Sequence, residues 1–183
     1  NIGMIDETRI SRIFDPATNQ MKQPALPDFE RVVVAIDPMT GEPDAESRPG
    51  MGSESGIIVA GRCSQGHAYI LEDLSCAGRP SEWAAKARRA YAYHKADKII
   101  GEVNNGGLMV ENTIRTIDSE ANYRAVTASR GKYTRAETIS SLYERGLVHH
   151  VGNFGALEDQ MTTYVPGQKS PDRMDALVWA LTD

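Results

Sequence analysis

The sequence predicts an α/β fold built on one mixed β-sheet with helices on both faces. Three observations predict it. A β-branched run, "RVVVAID", stands alone; two further runs, "GIIVAGRC" and "AYILEDLS", flank the turn "SQGH"; and from residue 81 onward helical and strand-like patterns alternate. Runs joined by a short turn predict antiparallel strands, whereas alternating units predict parallel strands joined by crossover helices. The expected sheet therefore has three antiparallel strands first and parallel strands added to them.

The composition is that of one globular domain. The chain has 183 residues, of which 40% are apolar and 25% charged, as expected of a soluble domain with a sizeable core. It begins with Asn1 and lacks the charged and apolar regions of a signal peptide, so we expect a fragment of a longer protein. Cys63 and Cys76 are badly spaced for a zinc site or a disulfide scaffold, which favours a reducing cytoplasm.

The net charge of −5 argues against a protein that coats nucleic acid by bulk electrostatics. It is compatible with a metal-dependent nuclease, in which carboxylates hold cations and local basic clusters contact phosphates. Such clusters occur in "KARRAY" and "SRGKYTR". The first contains Lys86, Arg88 and Arg89, and the second contains Arg130, Lys132 and Arg135. A solvated helix face is the favoured interpretation of the first cluster.

Two segments are predicted to lie outside the core of the domain. Residues 1–30 are polar and are interpreted as a linker or lead-in segment with at most a short helix around "DETRISRIF", which leaves residues 31–183 as the domain. After the first strand, "MTGEPDAESRPGMGSES" is predicted to be a long exposed loop. Three acids near this loop are interpreted as solvated charge: Asp44, Glu46 and Glu54.

The second half predicts five helices and three strands. The strands are "DKIIGEV", "YRAVTAS" and "LVHHVG"; the helices include "SEWAAKARRAYAYHKA", with Ser81 as its N-cap, and "TRAETISSLYERG", with Gly146 as its stop. In the last strand, His149 and His150 are adjacent, so their side chains should face opposite sides. We therefore expect half-buried histidines and no joint metal ligation.

The last helix, "SPDRMDALVWALTD", contains two acids that are expected to have different roles. Ser170 is a good N-cap, Pro171 suits the first helical position, and Asp172 complements the helix dipole without needing a function. Asp175 is expected at the edge of the buried face, where a carboxylate is unfavourable unless a cation compensates it. The buried face is predicted from four apolar residues at helical spacing, Met174, Leu177, Val178 and Leu181.

Three carboxylates are expected to converge. In an open α/β sheet, reactive groups gather outside the carboxyl ends of strands. Asp37 ends the first strand, Glu102 lies near the end of "DKIIGEV", and the last helix supplies Asp175. Such a set can bind two Mg²⁺ or Mn²⁺ ions, which activate water and stabilise the leaving oxygen in phosphodiester hydrolysis. Ordinary turn chemistry at Asp37 and a solvent-facing strand end at Glu102 are the alternatives.

Four sequence blocks, "RVVVAIDP", "IIGEVNNGG", "RGKYTRAE" and "SPDRMDALVWAL", resemble in identity and order the C-terminal nuclease domain of the large terminase subunit of tailed bacteriophages and related gene transfer agents. The resemblance implies a ribonuclease H-like fold and cutting of concatemeric double-stranded DNA during packaging. It implies that Asp37, Glu102 and Asp175 are catalytic metal ligands, with Asp172 as an additional one. The basic block with Arg130, Lys132 and Arg135 would then lie near DNA phosphates, although a helix-start surface remains an alternative.

The resemblance also implies partners. The family's large subunit contains a packaging ATPase, but this sequence has no G-x-x-x-x-G-K-[ST] motif; in "VTASRGKYT", Val126 and Tyr133 replace required residues. We expect an ATPase domain outside this chain, a portal protein, the small terminase subunit and a site of action in the cytoplasm of the bacterial host. Two alternatives are a noncatalytic module that docks the motor on the portal and an actin-like ATP-binding domain of the same superfold. The acidic glycine-bearing loop is poorly suited to hold phosphates.

Overall fold

The computed structural model describes residues 2–22, 24–38, 54–103, 107–127, 132–165, 168 and 171–182, with the backbone alone described at Gly107 and residues 132–136. In chain order the helices and strands within these residues are α1 (Ile2–Thr8), β1 (Ile13–Asp15), β2 (Gln20–Lys22), β3 (Phe29–Asp37), β4 (Gly56–Cys63), β5 (Ala68–Asp73), α2 (Pro80–Tyr93), β6 (Lys98–Glu102), α3 (Gly107–Ile117), β7 (Tyr123–Val126), α4 (Lys132–Glu144), β8 (Val148–His150), α5 (Gly155–Thr163) and α6 (Asp172–Thr182).

The main sheet has six strands in the order β7-β6-β3-β4-β5-β8. Strands β3, β4 and β5 are antiparallel neighbours, and a short turn joins β4 to β5. Strand β6 joins β3 in parallel, β7 joins β6 in parallel, and β8 joins β5 in parallel. The predicted mixed sheet is therefore confirmed. Strands β1 and β2 form a separate antiparallel hairpin.

Alternation along the strands divides the core into two layers. In β3, Val33 and Ala35 pack with residues of α1, α4, α5 and α6, whereas Val34 and Ile36 pack with residues of α2 and α3. Helices thus cover both faces, as predicted, because successive side chains of a strand point to opposite sides. By the same alternation, Asp37 belongs to the face that α6 covers.

Helix α2 begins two residues earlier than its sequence predicted. Ser81 was expected as the N-cap, but Arg79 is the N-cap and Pro80 is the first helical residue. The fixed φ of proline and its missing N–H suit that position. The carboxylate of Glu82 accepts a hydrogen bond from the Arg79 backbone N–H at 2.8 Å, which satisfies a donor that the helix itself leaves unpaired. Gly146 follows the end of α4 with φ +67°, as expected of a helix stop.

The lead-in segment packs on the sheet. Helix α1 begins before the predicted "DETRISRIF" position and overlaps only its first three residues, and its Ile5 is 3% exposed within the core. The Thr8 hydroxyl donates to the Val148 carbonyl oxygen at 2.7 Å, and Ile10 forms a parallel bridge with Val151. Residues 2–10 therefore extend the β8 side of the fold. The division into residues 1–30 and 31–183 stays a prediction.

Other expectations concern the loop and the cysteines. Asp44 and Glu46 lie outside the described residues. Cys63 and Cys76 are free thiols. In the part of the chain that the structure describes, no helix is long and apolar enough to cross a membrane.

Candidate functional site

Helix α6 lies across β3 and β4 on one face of the sheet and also contacts α4 and α5. Because it has neighbours on several sides, every residue from Met174 to Ala180 is buried. The predicted apolar stripe is confirmed, with Leu181 only partly buried. Ser170 lies outside the described residues, and the Pro171 carbonyl oxygen accepts a bond from the Asp175 N–H at 3.0 Å, which starts the helical pattern.

Asp175 lies deeper than the sequence predicted. We expected it at the edge of the buried face, but the residue is only 5% exposed. The helices around α6 remove the edge that an isolated amphipathic pattern implies. A carboxylate in this position is largely desolvated, so its charged form requires favourable partners.

Trp179 connects α6 with the end of β6. Its indole Nε1–H donates a hydrogen bond to Glu102 Oε2 at 2.8 Å. Trp179 is four residues after Asp175, so the two side chains lie on the same side of the helix. The side of α6 that carries Asp175 therefore faces the strand that carries Glu102. This contact was not predicted from the sequence. The signal for it was a tryptophan one turn after the candidate acid, since a buried indole normally requires an acceptor.

The first turn of α6 lies directly beside Asp37. In the β3–β4 pair, Asp37 is the register partner of Gly56. A Cβ atom placed on Gly56 would come within 2.1 Å of the Asp172 carbonyl oxygen and 3.1 Å of the Ala176 Cβ. Only a glycine permits this close approach of helix and strand. The structure thus brings the ends of β3 and β6 and the start of α6 to one edge of the sheet.

Replacing Gly56 with alanine is expected to displace α6, because the added methyl meets backbone atoms that cannot move alone. We expect the free energy of unfolding to fall by about 3 kcal/mol, at the upper end of typical overpacking costs, measured by urea denaturation. Gly155→Ala is the matched control, since its Cβ would find its nearest atom, Asn153 Oδ1, at an ordinary 3.8 Å. Equal stability of the two variants would contradict the close packing of α6 on β4.

Arg173 binds two carboxylates on the other side of α6. Its Nη1 lies 2.6 Å from Asp73 Oδ2, and its Nη2 lies 2.7 Å from Glu54 Oε2. Burial alone would lower the pKa of Arg173, but the two carboxylates outweigh burial and raise it. The prediction that Glu54 is solvated charge was wrong, because the fold brings it to a cation 119 residues away in sequence.

The described carboxylates have the chemistry of a magnesium site but do not form a complete one. Among the described residues, no three His, Cys, Asp or Glu side chains are grouped so that they could hold a metal ion. Carboxylate oxygens are the donors that Mg²⁺ prefers, and Mg²⁺ commonly uses only one or two carboxylates together with water and substrate phosphates. The catalytic and metal-binding roles of Asp37, Glu102 and Asp175, and the metal-binding role of Asp172, stay predictions.

The second basic cluster lies at the start of α4. Arg130 is outside the described residues, and the side chains of Lys132 and Arg135 are not described. The backbone places the start of α4 shortly after β7, whose Val126 is the register partner of Glu102. In the first cluster, Arg88 is exposed and pairs with Asp118 at 3.3 Å, as expected of a solvated helix face.

A buried polar network surrounds His150 of β8, at one edge of the sheet. His150 was predicted to be half-buried, but it is completely buried because α4 and α5 cover this strand. Its Nε2 lies 2.8 Å from the Tyr143 hydroxyl, and its Nδ1 lies 2.8 Å from Glu158 Oε1. Arg9 donates from Nη1 to the same carboxylate oxygen at 2.6 Å. His149 faces the other side, as predicted, where its Nε2 lies 2.7 Å from His67 Nδ1.

The protonation states of the network follow from its geometry. Burial lowers the pKa of His150, which favours the neutral ring. Burial raises the pKa of Tyr143, so its hydroxyl donates to the histidine. Burial alone would raise the pKa of Glu158, but hydrogen bonds from Arg9 and His150 outweigh burial and lower it. The network is therefore a buried ion pair extended through a neutral histidine and tyrosine.

The sequence matches the family model described as the terminase RNaseH-like domain over residues 46–183. The chain belongs to this family. The match covers Glu102, Asp172 and Asp175 but begins after Asp37. The sequence matches none of the curated proteins.

Solved structures share the fold of this terminase RNaseH-like domain. The large terminase nuclease from thermophilic phage G20c has a TM-score of 0.62 at 12% identity, covering 95% of this chain and 93% of that chain. The same nuclease with bound magnesium has a TM-score of 0.59 at 13% identity, with 96% and 93% covered. A mutant nuclease domain of the large terminase subunit gp2 of bacterial virus Sf6, with manganese and beta-thujaplicinol, has a TM-score of 0.53 at 13% identity, with 84% and 88% covered. The predicted ribonuclease H-like fold and the resemblance to the terminase nuclease domain are confirmed.

Proposed function

We propose that the chain is the metal-dependent endonuclease domain of a phage-type packaging terminase large subunit, which cleaves concatemeric double-stranded DNA by two-metal-ion phosphodiester hydrolysis. The observation that carries the proposal is the contact of α6 with two strand ends at once. Trp179 donates to Glu102 at the end of β6, while Asp172 abuts Gly56, the register partner of Asp37. Membership of the terminase RNaseH-like domain family supports the same conclusion.

In this proposal Asp37, Glu102 and Asp175 bind two Mg²⁺ or Mn²⁺ ions, with Asp172 as an outer ligand. When bound, such ions supply an activated water and stabilise the leaving oxygen. Asp175 is suited to the task because a buried carboxylate gains more from a neighbouring cation than an exposed one does. The metals in the related nucleases from phage G20c and virus Sf6 agree with this choice of ions.

We propose that DNA binds along the edge of the sheet where these strands end. These basic residues follow β7, which ends beside Glu102, so Arg130, Lys132 and Arg135 are proposed to contact phosphates. An acidic domain binds DNA weakly by itself, because its net charge of −5 opposes phosphate. We therefore propose that an ATPase domain, the portal protein and the small terminase subunit hold the substrate, at the prohead in the host cytoplasm.

Two readouts on the wild-type chain test the proposal. Supercoiled plasmid is expected to be nicked or linearised with Mn²⁺ or Mg²⁺ and to remain intact with EDTA. Mg²⁺ is also expected to change the fluorescence of Trp179, because an ion on Glu102 alters the acceptor of its indole N–H. Trp83, the other tryptophan, is 2% exposed in the opposite core layer and supplies a constant background.

Trp179→Phe provides the control for this titration. The phenyl ring fills most of the indole site but cannot donate to Glu102, so the Mg²⁺-dependent signal should disappear while the protein stays folded. Loss of this orienting bond is expected to weaken Mg²⁺ binding by roughly tenfold, as measured by calorimetry. A folded wild-type protein that neither binds divalent ions nor cleaves DNA would favour the noncatalytic docking module.

A further inference from the structure

Arg173 forms a forked contact at the start of α6. Besides its bonds to Asp73 through Nη1 and to Glu54 through Nη2, its Nε donates to Glu54 Oε2 at 3.1 Å. The side chain of Arg173 is 13% exposed and that of Asp73 is 6% exposed. A planar guanidinium that binds two acceptors fixes its own orientation, which a lysine cannot reproduce.

The Asp73 carboxylate that binds this guanidinium is itself held by hydrogen bonds around β4 and β5. The other carboxylate oxygen of Asp73 accepts a hydrogen bond from the Ser75 N–H at 3.0 Å. The Ser75 hydroxyl accepts one from the Ile57 N–H at 2.9 Å, next to the glycine that contacts α6. Asp73 is therefore held in place by the segment that follows its strand and not only by Arg173.

The position of Arg173 relative to Asp175 determines what this contact controls. Two residues along a helix correspond to a rotation of about 200°, so the two side chains lie on nearly opposite flanks of α6. Arg173 is bound toward β5, while the flank with Asp175 and Trp179 faces β6. A helix held on one flank at its first turn and on the other flank at Trp179 has a defined rotation about its axis.

The ion pairs of Arg173 with Asp73 and Glu54 also affect which carboxylates can bind a metal ion. Asp73 lies on the same face of the sheet as Asp37, since its register partner Ile58 packs in the layer with α6. A carboxylate in this position would compete for divalent cations if it were unpaired, because hard cations prefer oxygen ligands. By pairing with Asp73 and Glu54, Arg173 occupies two nearby carboxylates that are not among the proposed ligands.

We infer that Arg173 is a positioning residue for the metal centre: it sets the rotation of α6 that directs Asp175 and keeps Asp73 and Glu54 out of the ligand set. This inference rests on the proposed function. It assigns no contact with substrate or metal to Arg173 itself. It follows that Arg173 acts on metal affinity through the geometry of α6.

The test measures Mn²⁺ affinity by calorimetry and plasmid cleavage for the wild type, Arg173→Met and Arg173→Lys, at a temperature where circular dichroism shows each to be folded. Arg173→Met is expected to weaken Mn²⁺ binding by about 10- to 100-fold. Arg173→Lys should recover part of the loss, since a lysine retains the charge but not the fork. Arg115→Met, which removes an exposed pair with Glu111 on α3, is the matched control and should bind Mn²⁺ like the wild type.

Asp73→Asn keeps the inference testable if Arg173→Met does not fold, because the amide oxygen still accepts from Arg173 while the charge is lost. A several-fold loss of Mn²⁺ affinity is expected for this variant as well. Wild-type affinity in folded Arg173→Met or, failing that, in Asp73→Asn overturns the positioning role and leaves the proposed function intact. A wild-type chain that binds no Mn²⁺ overturns the metal centre, and the role of Arg173 with it.

Discussion

Asp175→Asn is expected to abolish metal-dependent DNA cleavage while leaving the fold intact. Asp175 is 5% exposed on the helix whose first turn packs against Gly56 at the start of β4, beside Asp37 at the end of β3. Its carboxylate is therefore strongly desolvated and close to the proposed metal site. An asparagine has nearly the same shape but cannot supply a negative charge. If metal stabilisation of the transition state loses about 4 kcal/mol, cleavage falls by roughly 10³-fold.

The measurement is the initial rate of plasmid nicking at saturating Mn²⁺, with the melting temperature recorded in EDTA. Because the substitution removes a buried charge, the melting temperature without metal should stay close to that of the wild type or rise. In the wild type, Mn²⁺ should raise the melting temperature by mass action, and in Asp175→Asn it should not.

Two aspartates provide matched comparisons. Asp172→Asn should reduce cleavage less than Asp175→Asn, since Asp172 is proposed only as an outer ligand. Asp159→Asn changes an exposed residue of the adjacent helix α5 and should cleave DNA like the wild type. Near-normal cleavage by folded Asp175→Asn would remove this residue from the mechanism.

Glu158→Gln is expected to cause the largest loss of stability among isosteric substitutions of the residues that the structure describes. Glu158 accepts hydrogen bonds from Arg9, His150 and the Phe154 N–H, and it is 3% exposed. Removing its charge leaves the Arg9 guanidinium without its principal partner. Breaking a buried ion pair in this way typically costs about 3–5 kcal/mol.

Urea denaturation checks this expectation, with Glu144→Gln at the exposed end of α4 as the control, which should change stability by less than about 0.5 kcal/mol. A double-mutant cycle with Arg9→Met should give a strong coupling energy, because both residues belong to one network. A loss below about 1 kcal/mol in Glu158→Gln would mean that the ion pair contributes little beyond its desolvation cost.

The same network predicts that the wild type loses stability in acid. The pKa of His150 is lowered on folding, so the unfolded chain binds more protons below the ordinary histidine value of about 6.5. The contribution of His150 is therefore complete above that pH and declines as pH falls toward its lowered pKa. Glu158, whose pKa is also lowered, adds a second loss below the ordinary glutamate range. Denaturation curves from about pH 7.5 to about pH 3 should show both declines.

Much of the fold could be predicted because its signals are local. The β-branched run of β3, the hairpin of β4 and β5, and the alternating units after them each depend on neighbouring residues, and the observed sheet agrees with them. The apolar stripe of α6 was predictable for the same reason. Errors at the start of α2 and in the position of α1 are errors of boundary, where capping chemistry competes with the periodic pattern.

The candidate site was predictable only in outline. Asp37 and Glu102 follow strand runs, and the topology of the sheet implies that such ends lie at one edge. Glu54 was misinterpreted because its loop composition indicates solvent exposure, whereas its partner Arg173 is distant in sequence. Trp179 and Asp73 were overlooked because a hydrogen-bond partner is not a property of the residue alone.

By itself, the sequence determined the order and type of the elements, the acids at the strand ends and the apolar face of α6, because these depend on local periodicity and residue chemistry. Only the tertiary structure decided the depth of Asp175, the burial of His150 and the pairing of Arg173. Burial and pairing arise from contacts between segments far apart in the chain, and such contacts exist only when the sheet and both helical layers have assembled.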